Sequence, residues 1–300
     1  MKVLIPLDVT SADGAAVKIA AGRPWPAGTS FCLLNISVSL YPPLLPPRVF
    51  ENSKTKILKL LDRAAEPLKK SGWNVRTEVL EGSPRRTINA FAKEWRADLV
   101  MVGSHERSQL ARLCLGSTAQ SVMRHAPCSV EIVRPGGDGG GSAGSGALKI
   151  LAATDGSEFS AAALRAVAAR PWPAGSKLKV ISVPEFILTK DASYLVTHET
   201  KEFGDLGAAS IEDAKKCIAA AREIVSGSPL TVNAELPEYE DRPYQVILHE
   251  AEEWDADLIV VGSHGRSGLD RVVMGSVSEA VALHAKCSVE IIRERGTDKA

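Results

Sequence analysis

The chain has 300 residues, 45% of them apolar and 24% charged, with 36 Lys plus Arg balanced by 36 Asp plus Glu. That is an ordinary globular mixture, long enough for two domains of roughly 150 residues each. A formal net charge of zero removes the global electrostatic case for a nucleic-acid or anionic-membrane binder, and no apolar run approaches the roughly 18 residues a membrane helix needs. In chain order, short apolar runs at 2–8, 31–38, 75–80, 98–103 and 128–134 read as strands. A Gly/Ser-rich stretch over 135–147, including Gly139-Gly140-Gly141-Ser142, reads as a flexible linker. Strand-like runs then return at 148–154, 177–183, 230–236, 257–262 and 287–293, with helical stretches such as 157–170 and 242–254 between them. Most of the strands are rich in Val, Ile and Leu rather than strictly alternating, which suits parallel strands buried on both faces. Strand–helix alternation of this length implies right-handed βαβ units and an α/β fold.

The second half repeats the first. Arg23-Pro24-Trp25-Pro26-Ala27-Gly28 returns as Arg170-Pro171-Trp172-Pro173-Ala174-Gly175, an offset of 147. Asp98-Leu99-Val100-Met101-Val102-Gly103-Ser104-His105 returns as Asp257-Leu258-Ile259-Val260-Val261-Gly262-Ser263-His264, and Cys128-Ser129-Val130-Glu131-Ile132 as Cys287-Ser288-Val289-Glu290-Ile291, both offset by 159. The second copy therefore carries 12 extra residues. They are expected after Val183, where 184–209 lacks clear periodicity. The expected organisation is a tandem duplication of domains 1–134 and 148–294 joined by the linker at 135–147.

Ligands of open α/β sheets bind beyond the carboxyl ends of the strands, where the connection direction switches. Two strand ends of the second copy carry unusual chemistry there. The first reads Thr154-Asp155-Gly156-Ser157, a carboxylate at a strand tip with glycine behind it. The fourth runs from Gly262 through Gly265 and Arg266 to Gly275-Ser276-Val277-Ser278-Glu279. Glycines let backbone N–H groups approach an anion without a Cβ in the way. Ser276 as N-cap with Glu279 three residues on reads as a capping box, placing a helix N-terminus at the same crevice. Together these suggest a phosphate cradle, with the carboxylate free to accept hydrogen bonds from a sugar or base. A glycine-rich turn after a buried strand is equally a common structural device. The pattern is neither a Walker A loop nor the Rossmann fingerprint.

On these residues the chain resembles the universal stress proteins in a tandem two-domain form. The hallmark G-x2-G-x9-G-[ST] is complete in the second copy as Gly262, Gly265, Gly275 and Ser276, beside Asp155-Gly156-Ser157. The resemblance implies two doubly wound five-stranded parallel sheets of strand order 3-2-1-4-5, the adenine nucleotide α-hydrolase-like fold, paired as an intramolecular pseudo-dimer through their final strands. It also implies ATP or another adenine nucleotide as ligand, with Mg accompanying the phosphates. The adenine and ribose would lie near Asp155 and Val183, with Ala153, Thr154 and Val261 beside the base. The phosphates would follow Gly262, Gly265, Arg266, Gly275, Ser276, Val277 and Ser278.

The first copy keeps Asp8, Gly103, Gly116 and Ser117, but Glu106 stands in place of the second glycine, Val9-Thr10 in place of Gly156-Ser157, and Gln109 in place of Gly268. A glutamate at that turn adds both bulk and like charge against a phosphate, so one strong nucleotide site is expected in 148–294 and a weak or altered one in 1–134. Ser117 with Gln120 still reads as a helix cap. The first copy is expected to serve as a built-in pairing partner that covers the final-strand edges at 129–134 and 288–293. His105 and His264 are read as a structural pair, Trp95 and Trp254 as core, and Cys128 and Cys287 as buried thiols; His125 and His284 also correspond. Arg107, Arg112, Arg266 and Arg271 either reach phosphates or merely solvate the loop, Arg266 being favoured beside Gly265, and Cys114 has no obvious pKa-lowering partner that would make it a reactive thiol.

Five scattered cysteines without a C-x-x-C argue for a reducing cytoplasm, and Met1 running straight into Lys2-Val3-Leu4-Ile5 gives no signal-peptide pattern. The leading expectation is a regulatory ATP-binding stress-response protein of the cytoplasm, with a further self-association into a homodimer left open. The alternatives are a slow ATPase or phosphoryl or nucleotidyl transferase, and a scaffold with neither pocket occupied. Against an enzyme, the second-copy site offers no clear general base, and no lysine stands in the 262–276 loop.

Overall fold

The structure is a computed structural model that describes residues 1–8, 14–37, 47–104, 115–134, 146–184, 200–238, 241–266 and 274–294. Linker residues 135–145 lie outside the described residues. The first copy runs β1 (Lys2–Pro6), α1 (Ala15–Gly22), β2 (Ser30–Ser37), α2 (Pro47–Lys70), β3 (Asn74–Glu81), α3 (Pro84–Glu94), β4 (Leu99–Gly103), α4 (Ser117–His125) and β5 (Ser129–Val133). The second runs β6 (Lys149–Ala153), α5 (Glu158–Ala169), β7 (Lys177–Ile181), α6 (Thr200–Val225), β8 (Thr231–Glu235), α7 (Pro243–Glu253), β9 (Leu258–Gly262), α8 (Ser276–His284) and β10 (Ser288–Ile292).

The strands form one sheet in the order β3-β2-β1-β4-β5-β10-β9-β6-β7-β8. Each half has the 3-2-1-4-5 order and is parallel throughout. At the centre, β5 and β10 pair antiparallel, with Glu131 opposite Glu290. The two five-stranded sheets expected from the sequence are thus halves of a single ten-stranded sheet. The central strands β5, β9 and β10 are buried along their whole length, while the outermost, β3 and β8, alternate with exposed residues. Burial on both faces explains the unbroken Val/Ile pattern, and exposed polar residues such as Asn74, Arg76, Thr231 and Asn233 mark the outer strands.

One face of the sheet holds a core that crosses the seam without interruption, from Leu4, Val100 and Ile132 to Ile291, Ile259 and Leu151. The opposite face has two separate cores, one built around Phe31 and Met101 and one around Val180 and Val260. Between those two cores the seam is filled by charge. Arg23 Nη1 donates to Glu131 Oε2 at 2.8 Å, and Arg170 Nη1 and Nη2 donate to Glu290 Oε2 and Oε1 at 2.6 Å each. Both arginines head the duplicated R-P-W-P turn. Its tryptophans fix it by donating to the preceding helix, Trp25 Nε1 to the Ala20 carbonyl at 2.7 Å and Trp172 Nε1 to the Val167 carbonyl at 2.8 Å.

Two expectations about the extra residues change. Val75 lies opposite Phe31 and Val232 opposite Leu178, so the offset between copies is 147 at Phe31/Leu178 and already 157 at Val75/Val232. It reaches 159 at Pro84/Pro243. Ten extra residues therefore precede the third strand, and two sit in the β8–α7 connection. Residues from Thr200 onward, read as aperiodic, belong to α6. Gly204 and Gly207 interrupt its apolar pattern, and glycine is a weak helix former.

Candidate functional site

The chain leaves β6 through a turn that is bonded largely to itself. The Thr154 N–H donates to the Ile181 carbonyl at 2.9 Å, and the Gly156 N–H to Thr154 Oγ1 at 3.2 Å. Ser157 caps α5, its Oγ accepting the Ser160 N–H at 3.2 Å. Gly156 has φ +77°, and a Cβ there would stand 2.7 Å from Cys217 Sγ on α6. Only glycine fits that turn without strain.

β9 ends at Gly262, where a Cβ would lie 2.7 Å from the carbonyl carbon of Phe159. Its lack of a side chain lets the first turn of α5 rest on the strand. Beyond it the Ser263 N–H donates to the Ile292 carbonyl at 3.0 Å. Ser263 Oγ lies 2.9 Å from His264 Nδ1. The His264 ring is buried with its centroid 4.9 Å from that of Phe159, and its Nε2 has no partner among the described residues.

Asp155 joins the two strand tips. Its Oδ1 accepts the Ser157 N–H at 3.0 Å and the Ser157 hydroxyl at 2.6 Å. Its Oδ2 accepts the Arg266 N–H at 3.0 Å, and the Arg266 Nε donates to the Asp155 carbonyl. Arg266 Nη2 also reaches Cys217 Sγ at 3.2 Å. A Cβ at Gly265 would be 2.9 Å from Asp155 Oδ2. Burial pushes the Asp155 carboxyl up, but the hydrogen bonds from Ser157, then those from Ser160 and the Arg266 N–H, outweigh it and hold the group below its ordinary value. An ionised carboxylate with about four acceptor positions keeps capacity for a ligand hydroxyl or amine.

α8 opens on the same loop, but not as a capping box. The N-cap is Gly275 (φ −64°, ψ 139°), no side chain caps the helix, and Ser276 is its first residue. The Gly275 N–H donates to the Ser263 carbonyl at 2.9 Å, and a Cβ on Gly275 would press to 3.3 Å on His264 Cα and the Ser263 oxygen. That close approach sets the start of the helix one residue before the expected serine. The Glu279 side chain, expected to fold back on the cap, turns to Arg124 instead. The first copy behaves alike: Gly116 is the N-cap of α4, and Gln120 Nε2 donates to the Leu115 carbonyl at 2.7 Å. Because the first intrahelical bond of α8 is Glu279 N–H to the Gly275 carbonyl, 2.9 Å, the N–H groups of Ser276, Val277 and Ser278 point out of the helix start as donors at the positive end of its dipole.

The expected site residues thus converge in part. Asp155, Gly265 and Arg266 meet directly, while Gly262 and Ser278 meet through the Ser278 hydroxyl, which donates to the Gly262 carbonyl at 2.6 Å. That hydroxyl is buried, so it ties α8 to the strand tip rather than standing open to a phosphate. Val261 is buried in the core, and Ala153 and Val183 are partly buried against it. Among the described residues, no group of three or more His, Cys, Asp or Glu could hold a metal ion; Mg would have to come bound to phosphate oxygens and water.

In the first copy the described strand tips are joined differently. Asn35 Nδ2 donates to the Leu7 carbonyl at 2.8 Å, linking the tips of β1 and β2, and α1 starts at Ala15 with no side-chain cap. Val9, Thr10, His105, Glu106, Arg107, Gln109, Arg112 and Cys114, and in the second copy Gly268 and Arg271, lie outside the described residues. Trp95 and Trp254 pack against the core, and Cys128 is buried, as expected; Cys287 is half-buried. Burial pushes the Cys287 thiol up to about 12. The Arg23–Glu131 and Arg170–Glu290 pairs were not anticipated. Their signal was the placing of Glu131 and Glu290 in the middle of otherwise apolar strands, with a duplicated arginine to match.

The family model described as the universal stress protein family matches residues 1–134 and 147–293. A universal stress protein of Mycobacterium tuberculosis is 26% identical over 282 residues, covering 87% of this chain and 85% of that one. One from Mycolicibacterium smegmatis is 31% identical over 225 residues, covering 75% and 70%. The crystal structure of a universal stress protein from Archaeoglobus fulgidus superposes with a TM-score of 0.66 at 18% identity, over 99% of this chain and 97% of that one, a likeness of fold.

Proposed function

The chain belongs to the universal stress protein family, and from that premise we propose that it is a regulatory protein binding an adenine nucleotide, ATP with Mg foremost, in the crevice of its second copy. The observation that supports this reading is the meeting of Asp155 with the Gly265–Arg266 backbone, beside the uncapped start of α8. Asp155 would accept from the ribose or base at one end, while the N–H groups of Ser276, Val277 and Ser278 and the Arg266 guanidinium would meet the phosphates at the other. Val183, Ala153 and Thr154 would line the base side, with Val261 contributing backbone. Mg would neutralise phosphate charge. The residues 1–134 form the pairing partner, the residues 148–294 the binding unit, and the residues 135–147 the connection between them.

The reading separates binding from turnover, because it puts Asp155 at the sugar end, away from the terminal phosphate. Calorimetric titration of the full chain with ATP and Mg is expected to give one site per chain. Gly265→Glu, which installs the residue of the first copy, is expected to weaken it by about 100-fold or more, through collision with Asp155 and repulsion of phosphate. Two equivalent sites, or unchanged affinity in the variant, would reject the assignment. Steady ADP release by the wild-type chain would move it to the enzyme reading.

A further inference from the structure

The helix that opens on the proposed phosphate end is held at both ends by the other copy. Arg134, just past β5, donates through Nη2 to the Ala282 carbonyl at 2.6 Å and through Nη1 to the Cys287 carbonyl at 3.4 Å, capping the C-terminal end of α8. Arg293 returns the contact, donating to the carbonyls of Ala126 at 2.6 Å, Met123 at 2.7 Å and Arg124 at 3.2 Å at the end of α4. Cations at helix C-termini complement the dipole and satisfy the last carbonyls. This pair of caps is symmetric about the seam.

One further cross-seam contact is not symmetric. Arg124 on α4 donates through Nε at 2.8 Å and Nη2 at 2.5 Å to Glu279 Oε1, in the first turn of α8. By the offset of 159, the reverse pair would be Leu283 with Gln120, and neither carries charge. The arginine belongs to the copy whose glycine loop is altered, and the carboxylate to the helix that opens on the complete one. Both side chains keep contact with solvent, 46% and 27% exposed, and exposed pairs of this kind add little to stability. Its consequence is electrostatic. Glu279 sits in the first turn of α8, at its positive end, where its negative charge opposes that of a phosphate drawn to the same dipole.

We infer that the first copy tunes phosphate recognition in the second, Arg124 masking the Glu279 carboxylate at the start of α8. The inference rests on the nucleotide reading above and gives the degenerate copy a specificity-setting role besides edge pairing. Arg124 is a positioning and charge-masking residue at one remove from the ligand, because it acts through Glu279.

The test is calorimetric titration of the full chain with ATP and, separately, with adenosine, for wild type, Arg124→Gln, Glu279→Gln and the double variant. Arg124→Gln is expected to weaken ATP binding by about three- to tenfold, the size of one uncovered charge at the edge of the site, and to leave adenosine unchanged. The double variant is expected to recover the wild-type ATP affinity, and the loss in the single variant is expected to shrink as salt rises. Unchanged ATP affinity in Arg124→Gln, an equal loss for adenosine, or no recovery in the double variant each overturns the inference while leaving the nucleotide site standing. A wild-type chain that binds neither ATP nor adenosine overturns the nucleotide reading, and this inference with it.

Discussion

The tips of β6 and β1 occupy equivalent places in the two halves and are built on different chemistry. In the second copy a serine caps the helix, a carboxylate ties two strand tips, and a glycine at each tip admits a close neighbour. In the first, α1 begins at Ala15 after an uncapped Gly14, and Asn35 bonds the Leu7 carbonyl where Ser182 and Thr154 stand in the second copy. Gly262 faces the Phe159 backbone at 2.7 Å, whereas Gly103, its equivalent, has nothing within 4 Å of its Cβ position among the described residues. Sheet, strand order and seam survive all of this. The scaffold and the strand-tip chemistry are therefore separable, and one copy can lose the second while keeping the first.

The largest expected effect tests how alike the two halves of the seam are. Arg170 grips Glu290 with two bonds, Arg23 holds Glu131 with one, and Glu131 Oε1 has no partner among the described residues. Removing the arginine of a buried pair leaves a carboxylate uncompensated, which costs about 3–5 kcal/mol. Arg170→Met is expected to fall in that range by chemical denaturation. Arg23→Met is expected to cost less, because burial, followed by the opposing Glu290, already pushes the Glu131 carboxyl up, and protonation can neutralise it. Equal losses from the two variants would show the halves to be energetically alike.

A middle-sized effect is expected at Gly262, the glycine that ends β9. A methyl at Gly262 meets main-chain atoms of Phe159 and Ser160, which cannot swing aside. Gly262→Ala is expected to destabilise by about 1–3 kcal/mol and to weaken ATP binding, since α5 must shift and carry Ser157 and Asp155 with it. Thermal unfolding checks the first loss and calorimetric titration the second; a Gly262→Ala chain as stable as wild type, with unchanged ATP affinity, would show the close approach of α5 to the strand tip to be dispensable.

The sequence carried much of this in readable form. Duplicated motifs exposed the two halves, Val/Ile-rich runs located the strands within one or two residues, and the spacing of Gly262, Gly265 and Gly275 marked the loop. Strand order came from the resemblance, since periodicity says nothing about which strands are neighbours. Three features stayed hidden for physical reasons. Gly275 displaced Ser276 as N-cap because of how near it lies to Ser263 and His264, a tertiary closeness that the capping pattern does not encode. Each Arg–Glu pair of the seam joins a turn to a strand of the same copy more than a hundred residues away, a closeness that only the fold creates. In α6, glycines diluted the periodicity that would have betrayed the helix.

The smallest expected effect is a slope rather than a loss. Glu131, fully buried opposite Glu290, has a folded-state pKa raised above the ordinary 4.5 by burial first, with Glu290 adding to the rise and Arg23 and Arg170 opposing it. A raised carboxyl favours the folded chain when protonated, so its contribution is fully present below the unfolded value and is lost as pH rises through the folded one. Asp155 runs the other way: its folded value is lowered, so its contribution is present above the unfolded value and fades as pH falls. Glu131→Gln is expected to flatten the decline of thermal stability on the alkaline side of pH 4.5, and Asp155→Asn the decline on the acid side of the ordinary aspartate value. Thermal unfolding of wild type and both variants from pH 3 to pH 9 measures each slope. A Glu131→Gln chain whose stability falls with pH as steeply as wild type would place the seam's titration elsewhere, and would remove the distinction between its singly and doubly bonded halves.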